Sequence, residues 1–211
     1  DDTGRPRPTL IMHTGFDGSA EEMHTFGARA GVERGYNVLT FDGPGQYGPL
    51  HREGLVFRPD WEKVVTPVVD FALKQPAVDP KKIALMGLSM GGVLAPRAAA
   101  FEKRLAALIA NDGVYDYADA HRAAAAVPPE KHAEFDEALR AKDAPELDLK
   151  LEAAMKASPT ARWAINHGMF ATGAKSPRAY FAKTLEFNVK DGVAEKISCP
   201  TLVMEAENDL F

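Results

Sequence analysis

Apolar and polar positions along the chain form two patterns that alternate. Five short apolar runs lack regular polar interruptions: "TLIMH" (9–13), "NVLTF" (37–41), "KIALMGL" (82–88), "LAALIAN" (105–111) and "TLVMEA" (201–206). Strands covered by helices on both faces read this way, because neither side of the pleat meets water. Helix-period stretches separate most of them. "AEEMHTFGARAGVERG" (20–35) follows Ser19, which predicts an N-cap with Glu22 three residues on, and it closes at Gly35. In "PDWEKVVTPVVDFALK" (59–74), Trp61, Val64, Val65, Val68 and Ala72 share one helical face. Pro67 predicts a kink there, since it withholds a backbone donor. Strands alternating with helices predict parallel βαβ units, and so an α/β fold with a mostly parallel sheet flanked by helices.

The alternation stops near Tyr115. From there to Lys190 the chain is Ala-rich, charged and helical in pattern, cut by "VPPE", "DAPELD" and "GAKSPRAY". This predicts a helical insertion between two strands, with core at 1–114, insertion at 115–190 and core resumed at 191–211. "KSP" (175–177) predicts a loop entering a further helix.

Composition narrows the function classes. A hydrophobic share of 45% and a charged share of 26% over 211 residues fit one compact unit with a real core. The net charge of -5, with no basic cluster, argues against a nucleic-acid surface, which needs grouped Lys and Arg. No apolar run approaches the roughly 18 residues of a membrane span, and "DDTGRPRPTL" does not resemble a signal peptide. One cysteine, Cys199, offers neither an internal disulfide nor a metal-ligand spacing. These features point to the cytoplasm and give no metal-ligand spacing. The chain opens on Asp1 without an initiator Met, which suggests a fragment.

The chemistry centres on "GLSMGG" (87–92), set as strand, Gly-x-Ser-x-Gly, helix within "KKIALMGLSMGGVLAPRAAAF". A turn this tight needs neighbours without bulk, hence Gly87 and Gly91, and it aims the hydroxyl of Ser89 outward. The helix beyond it turns backbone N–H groups toward the site. "FDGPGQYG" (41–48) reads as a loop whose glycines shape the site floor; it lacks the Lys-Ser/Thr of a phosphate loop.

With this motif in this context, the whole chain resembles the α/β-hydrolase superfamily. The resemblance makes the five runs strands three to seven of eight, with strands one and two before Asp1 and strand eight after Phe211. It makes 115–190 the cap, between strands six and seven. An oxyanion needs two preorganised N–H donors. The resemblance implies Met90, after the nucleophile, and Phe16, in the turn after "IMHTGFDG", with Gly15 or Asp17 one register away. His13 matches the histidine that braces that turn. The triad order Ser, acid, His points to Asp209, at the end of "CPTLVMEAENDLF", as the acid. Asp112 is the second choice, and Glu205 and Glu207 are near alternatives. All six histidines, at 13, 24, 51, 121, 132 and 167, precede Asp209. His121 and His132 lie in charged cap sequence that predicts exposure. The base histidine is therefore expected outside this chain.

A closer resemblance is to capped hydrolases that include the fungal polyketide-shortening (heptaketide) hydrolases and bacterial 2,6-dihydroxypseudooxynicotine hydrolase. Residues 15–18, 42–46 and 94–100 carry it; Tyr47 and Val93 depart from its pattern, where a glycine and an aromatic are expected. It implies a serine hydrolase cleaving an ester or a β-diketone-type carbon–carbon bond of a small-molecule substrate, with no cofactor or metal needed, and a homodimer. Trp163, His167 and Phe170 of the cap are the expected substrate contacts, with Tyr180 and Phe181 as further aromatics that could equally form the cap's own core. The rival readings are a peptidase of the prolyl-oligopeptidase type and a silent binding protein on the same fold.

Overall fold

The computed structural model describes residues 4–207. Five strands, β1 Arg7–His13, β2 Asn37–Thr40, β3 Val78–Leu88, β4 Ala107–Asn111 and β5 Thr201–Met204, form one sheet in the order β2-β1-β3-β4-β5. Every neighbouring pair is parallel, with Ile11 opposite both Leu39 and Leu85, and Leu85 opposite Leu108. Each strand lies within or over one of the five apolar runs. The helices are α1 Arg29–Glu33, α2 Tyr47–Glu53, α3 Glu62–Leu73, α4 Gly91–Ala99, α5 Ala118–Ala124, α6 His132–Arg140, α7 Pro145–Ala157, α8 Pro159–Thr172 and α9 Pro177–Thr184.

The continuous apolar runs follow from burial on both faces. Ile11, Ile83, Leu85 and Leu108 pack against Val65 and Val69 of α3 and Val93, Leu94 and Ala98 of α4. The alternate residues Met12 and Met86 face the other layer, against Met23 and Ala28. The buried stripe of α3 is Trp61, Val65, Val69 and Ala72, so Val69 replaces the expected Val64 and Val68, which are partly buried. The helix runs through Pro67 without a break.

The first helical stretch is less regular than its pattern. Ser19 and Glu22 form the expected reciprocal cap, with Ser19 N donating to Glu22 Oε2 at 3.1 Å and Glu22 N to Ser19 Oγ at 3.4 Å. A wide turn over His24–Ala28 follows, and α1 proper begins at Arg29. Gly27 breaks the helix with φ 153°, where a Cβ would sit 3.0 Å from Met12 Cε.

Helices α5–α9 come between β4 and β5, which is the expected helical insertion. The only strand-like feature of this stretch among the described residues is a bridge at its neck, Asp116 against Asn188. Flanking it, Tyr117 N donates to Phe187 O and Val189 N to Tyr115 O, both at 3.0 Å. "KSP" behaves as expected: Ser176 caps α9, accepting from Ala179 N at 3.2 Å, and Pro177 opens the helix.

Candidate active site

In this strand order the chain leaves β1 toward β2 and then returns past it to β3. The carboxyl ends of β1 and β3 thus flank the point where the winding reverses, where open α/β sheets form their ligand crevice. Thr14, Gly15 and Phe16 follow β1, and Ser89 follows β3.

Ser89 sits half-buried between the end of β3 and the start of α4, with φ 60°. A left-handed backbone at a non-glycine residue costs free energy and marks a constrained position. The glycines around it allow the turn. A Cβ on Gly87 would overlap the backbone of Gly91, and one on Gly92 would overlap Asp112 O. Ser89 N donates to Asn111 O at 3.0 Å, tying the turn to the end of β4.

The turn after β1 is pressed against this elbow. A Cβ on Gly15 would lie 2.5 Å from Met90 N, so only glycine lets the two backbones approach this closely. Side chains hold the carbonyls of the turn in order. His13 Nδ1 lies 2.8 Å from Thr14 O; a carbonyl only accepts, so the proton is on Nδ1. Gln46 Nε2 donates to Thr14 O at 2.7 Å and Gly15 O at 3.3 Å, and Gln46 Oε1 accepts from Gly43 N at 2.7 Å. His167 Nε2, from α8, lies 2.9 Å from Phe16 O.

His13 has the geometry of a brace. Its ring is fully buried against Phe41 and Trp61, and burial lowers its pKa to about 4. Gln46 is also fully buried, and its bracing role was not read from the sequence beyond its place in "DGPGQ". The surrounding loop packs as its composition implies: a Cβ on Gly43 would meet Trp61, and Gly45, at φ 88°, lies against Phe57. Asp42 links the loop to the β1 turn, accepting from Ala20 N at 2.7 Å and Gly48 N at 3.2 Å. Burial raises its carboxyl pKa against the pull of those two bonds.

Of the acid candidates, Asp209 lies outside the described residues. Asp112 follows β4 with φ 67°, and its backbone is in contact with the elbow at Gly92. Ser89 and Asp112 therefore occupy constrained turns at the ends of adjacent strands. No histidine hydrogen-bonds the Ser89 hydroxyl among the described residues. His24 is exposed; His51 lies in α2 with its ring against Tyr47 and Phe170. His132, expected to be exposed, is partly buried, with Nε2 3.2 Å from Val127 O. His121 corrects the expectation of exposure: its ring packs among Tyr117, Tyr180 and Phe181, and burial lowers its pKa to about 4. The charged sequence around it hid an inward-facing ring.

Trp163, His167 and Phe170 share one face of α8. Trp163 meets Phe16 edge-on at 6.2 Å, and His167 meets it at 4.7 Å. Phe170 turns instead to His51, at 5.2 Å. Trp163 and Phe170 are 46% and 49% exposed. Tyr180 and Phe181 belong to the packed interior of the cap. A cleft of about 600 Å³ between α5, α6 and α7 contains none of the candidate residues. Among the described residues no cluster of three or more His, Cys, Asp or Glu is arranged for a metal ion, and no helix is long and apolar enough to cross a membrane.

The sequence matches the profile of the Alpha/beta hydrolase family over residues 10–209. Hydrolase acrC of Aspergillus aculeatus is 35% identical over 208 residues, covering 97% of this chain and 47% of that protein. The 20-hydroxy-prefusarin hydrolase FUS2 of Gibberella moniliformis is 31% identical, covering 97% and 48%. Among solved structures, that of 2,6-dihydroxy-pseudo-oxynicotine hydrolase superposes with a TM-score of 0.66 at 26% identity, covering 94% of this chain and 45% of that one. The chain spans about half the length of the curated relatives it matches.

Proposed function

The chain belongs to the alpha/beta hydrolase family, and on that premise we propose that it is a serine hydrolase cleaving an acyl bond of a small organic substrate. Residues 1–114 and 191–211 form the hydrolase core of this reading, and 115–190 its cap. Ser89 is the nucleophile, and the N–H groups of Met90 and Phe16 are the oxyanion donors. Asp209 is the acid, with Asp112 the second choice, and a histidine outside these 211 residues is the base. The names of the 20-hydroxy-prefusarin and 2,6-dihydroxy-pseudo-oxynicotine hydrolases support a small organic substrate. The bond is an ester or a β-diketone-type carbon–carbon bond. A cytoplasmic homodimer that binds no nucleic acid is part of the same reading, supported by the net charge of -5, the single cysteine and the family resemblance.

The observation that carries this reading is the approach of two turns: Ser89 at φ 60° on the elbow, with the Gly15 backbone against the Met90 amide. The histidine takes the Ser89 proton as the oxygen attacks the substrate carbonyl. The carbonyl oxygen becomes an oxyanion held by the two N–H groups. Collapse expels the leaving group, an alkoxide or a stabilised enolate, which takes its proton from the imidazolium. Water then hydrolyses the acyl-Ser89 ester by the same steps.

Fluorophosphonate labelling tests the assignment directly. Wild-type protein should label on Ser89 and Ser89→Ala should not; equal labelling of the two removes Ser89 as nucleophile.

A further inference from the structure

The bond between His167 and Phe16 joins the cap to the turn that is to hold the oxyanion, and it bears on more than packing. Phe16 lies between two peptide units. The first, Gly15–Phe16, carries the Phe16 N–H; the second, Phe16–Asp17, carries the Phe16 carbonyl. In a planar trans peptide the N–H points opposite to the C=O, so fixing a carbonyl aims the N–H on its far side. Gln46 fixes the first unit by donating to Gly15 O at 3.3 Å, while it and His13 hold Thr14 O. His167 fixes the second by donating to Phe16 O at 2.9 Å. A peptide unit swings when the torsions on either side of it counter-rotate. With both units tethered, Phe16 cannot swing its N–H out of line.

We propose that His167 is a positioning residue: from the cap it clamps Phe16 O, and with Gln46 on the core side it holds the oxyanion turn in its working geometry.

The surroundings of His167 favour this role over direct substrate contact. Nε2 carries the proton given to Phe16 O, since a carbonyl only accepts. The ring meets Phe16 edge-on at 4.7 Å and stacks on Trp163, one turn earlier in α8, at 6.0 Å and 10°. Phe16 itself touches both the main core and the cap cluster of Ile165, Ala174 and Tyr180. Gly168, next in the chain, lets Tyr180 close in where a Cβ would overlap its ring. The imidazole thus packs against two aromatic rings with its donor already engaged. The cap contributes to catalysis through this clamp.

The inference rests on the proposed oxyanion role of the Phe16 N–H, and the test separates the two. Wild type, His167→Phe, His167→Gln and Ser89→Ala are compared as full-length protein on a p-nitrophenyl ester. His167→Phe keeps a ring between Phe16 and Trp163 but removes the donor; a Gln amide nitrogen can reach the Nε2 position. His167→Phe should lower kcat about tenfold or more with KM within about twofold, and His167→Gln should recover most of the loss. Hydrogen–deuterium exchange in peptides spanning residues 14–20 should quicken in His167→Phe and return toward wild type in His167→Gln. A raised KM with kcat kept would make His167 a substrate contact and overturn the proposal, as would unchanged kcat and exchange. If Ser89→Ala is as active as wild type, the hydrolase reading fails instead, and the exchange comparison still decides whether the clamp exists.

Discussion

His13 ends β1 with its ring between Phe41 and Trp61, its Nδ1–H given to Thr14 O and its Nε2 without a partner among the described residues. His121 is partly buried among aromatic rings, with its Nε2 out of solvent and unpartnered among the described residues. Burial lowers both pKa values from 6.5 to about 4, because the cation has lost its hydration. Unfolding restores the ordinary value, so below pH 6.5 the unfolded chain binds protons the folded chain refuses. Stability therefore falls as pH drops from 6.5 toward 4. At pH 5 each ring should have cost about 2 kcal/mol relative to neutral pH. Urea unfolding at pH 7 and pH 5 measures this, and His121→Leu should remove about half of the difference between the two. An undiminished loss in that variant would show that His121 does not carry its share. The role of His13 was legible through the family resemblance, whose bracing histidine falls at its position, and the bond to Thr14 O fits that role. Gln46 and His167 were not legible as braces, because their targets lie about 30 and 151 residues away along the chain.

Among the elements, the strands matched their apolar runs because a strand buried on both faces needs only local sequence to declare itself. Helix faces were harder to read. In α3 the pattern reads as a stripe through Val64 and Val68, whereas packing against the sheet and α4 buries Val69. The break at Gly27 falls where Met12 packs so close that a Cβ would crowd it, a contact made in the folded structure. Two helix starts declare themselves locally, since cap and helix are neighbours in sequence. Ser158 opens α8 and Ser176 opens α9, each followed by Pro and each accepting an amide three residues on at 3.2 Å. Removing the Ser176 hydroxyl leaves Ala179 N–H without its acceptor in a helix that carries the buried Tyr180. Ser176→Ala should cost about 1 kcal/mol in denaturant unfolding, and Ser176→Asp should restore it. A loss below about 0.3 kcal/mol would mean that water replaces the cap without penalty.

Over the whole molecule, the helical insertion leaves β4 and returns to β5, and a cluster of charged side chains lies at its neck. The Arg122 guanidinium gives Nε and Nη2 to the two oxygens of Asp136, at 3.0 and 2.5 Å, and Nη1 to Asp116 at 2.8 Å and Asp119 at 2.6 Å. Lys190, on the returning arm, adds a bond to Asp116 at 2.6 Å. Burial works to raise the Asp116 pKa, yet the bonds from Lys190 and Arg122 outweigh it and hold the carboxyl below its ordinary range. The sequence placed the insertion but could not reveal this knot, since Asp and Arg in an Ala-rich helical stretch read equally well as a solvated face. The partners differ in what they should contribute. Asp119 is 60% exposed at its side chain, so Asp119→Asn should change stability by less than about 0.5 kcal/mol. Arg122 is 6% exposed at its side chain, and Arg122→Ala strands Asp136 and half-strands Asp116 in a site poor in water. That should cost about 3 kcal/mol or more, and it should first appear as faster proteolysis within residues 118–184. If Arg122→Ala and Asp119→Asn proved equally mild, the insertion would be held by its apolar contacts alone, and the ion pairs at its neck would be a consequence of that packing.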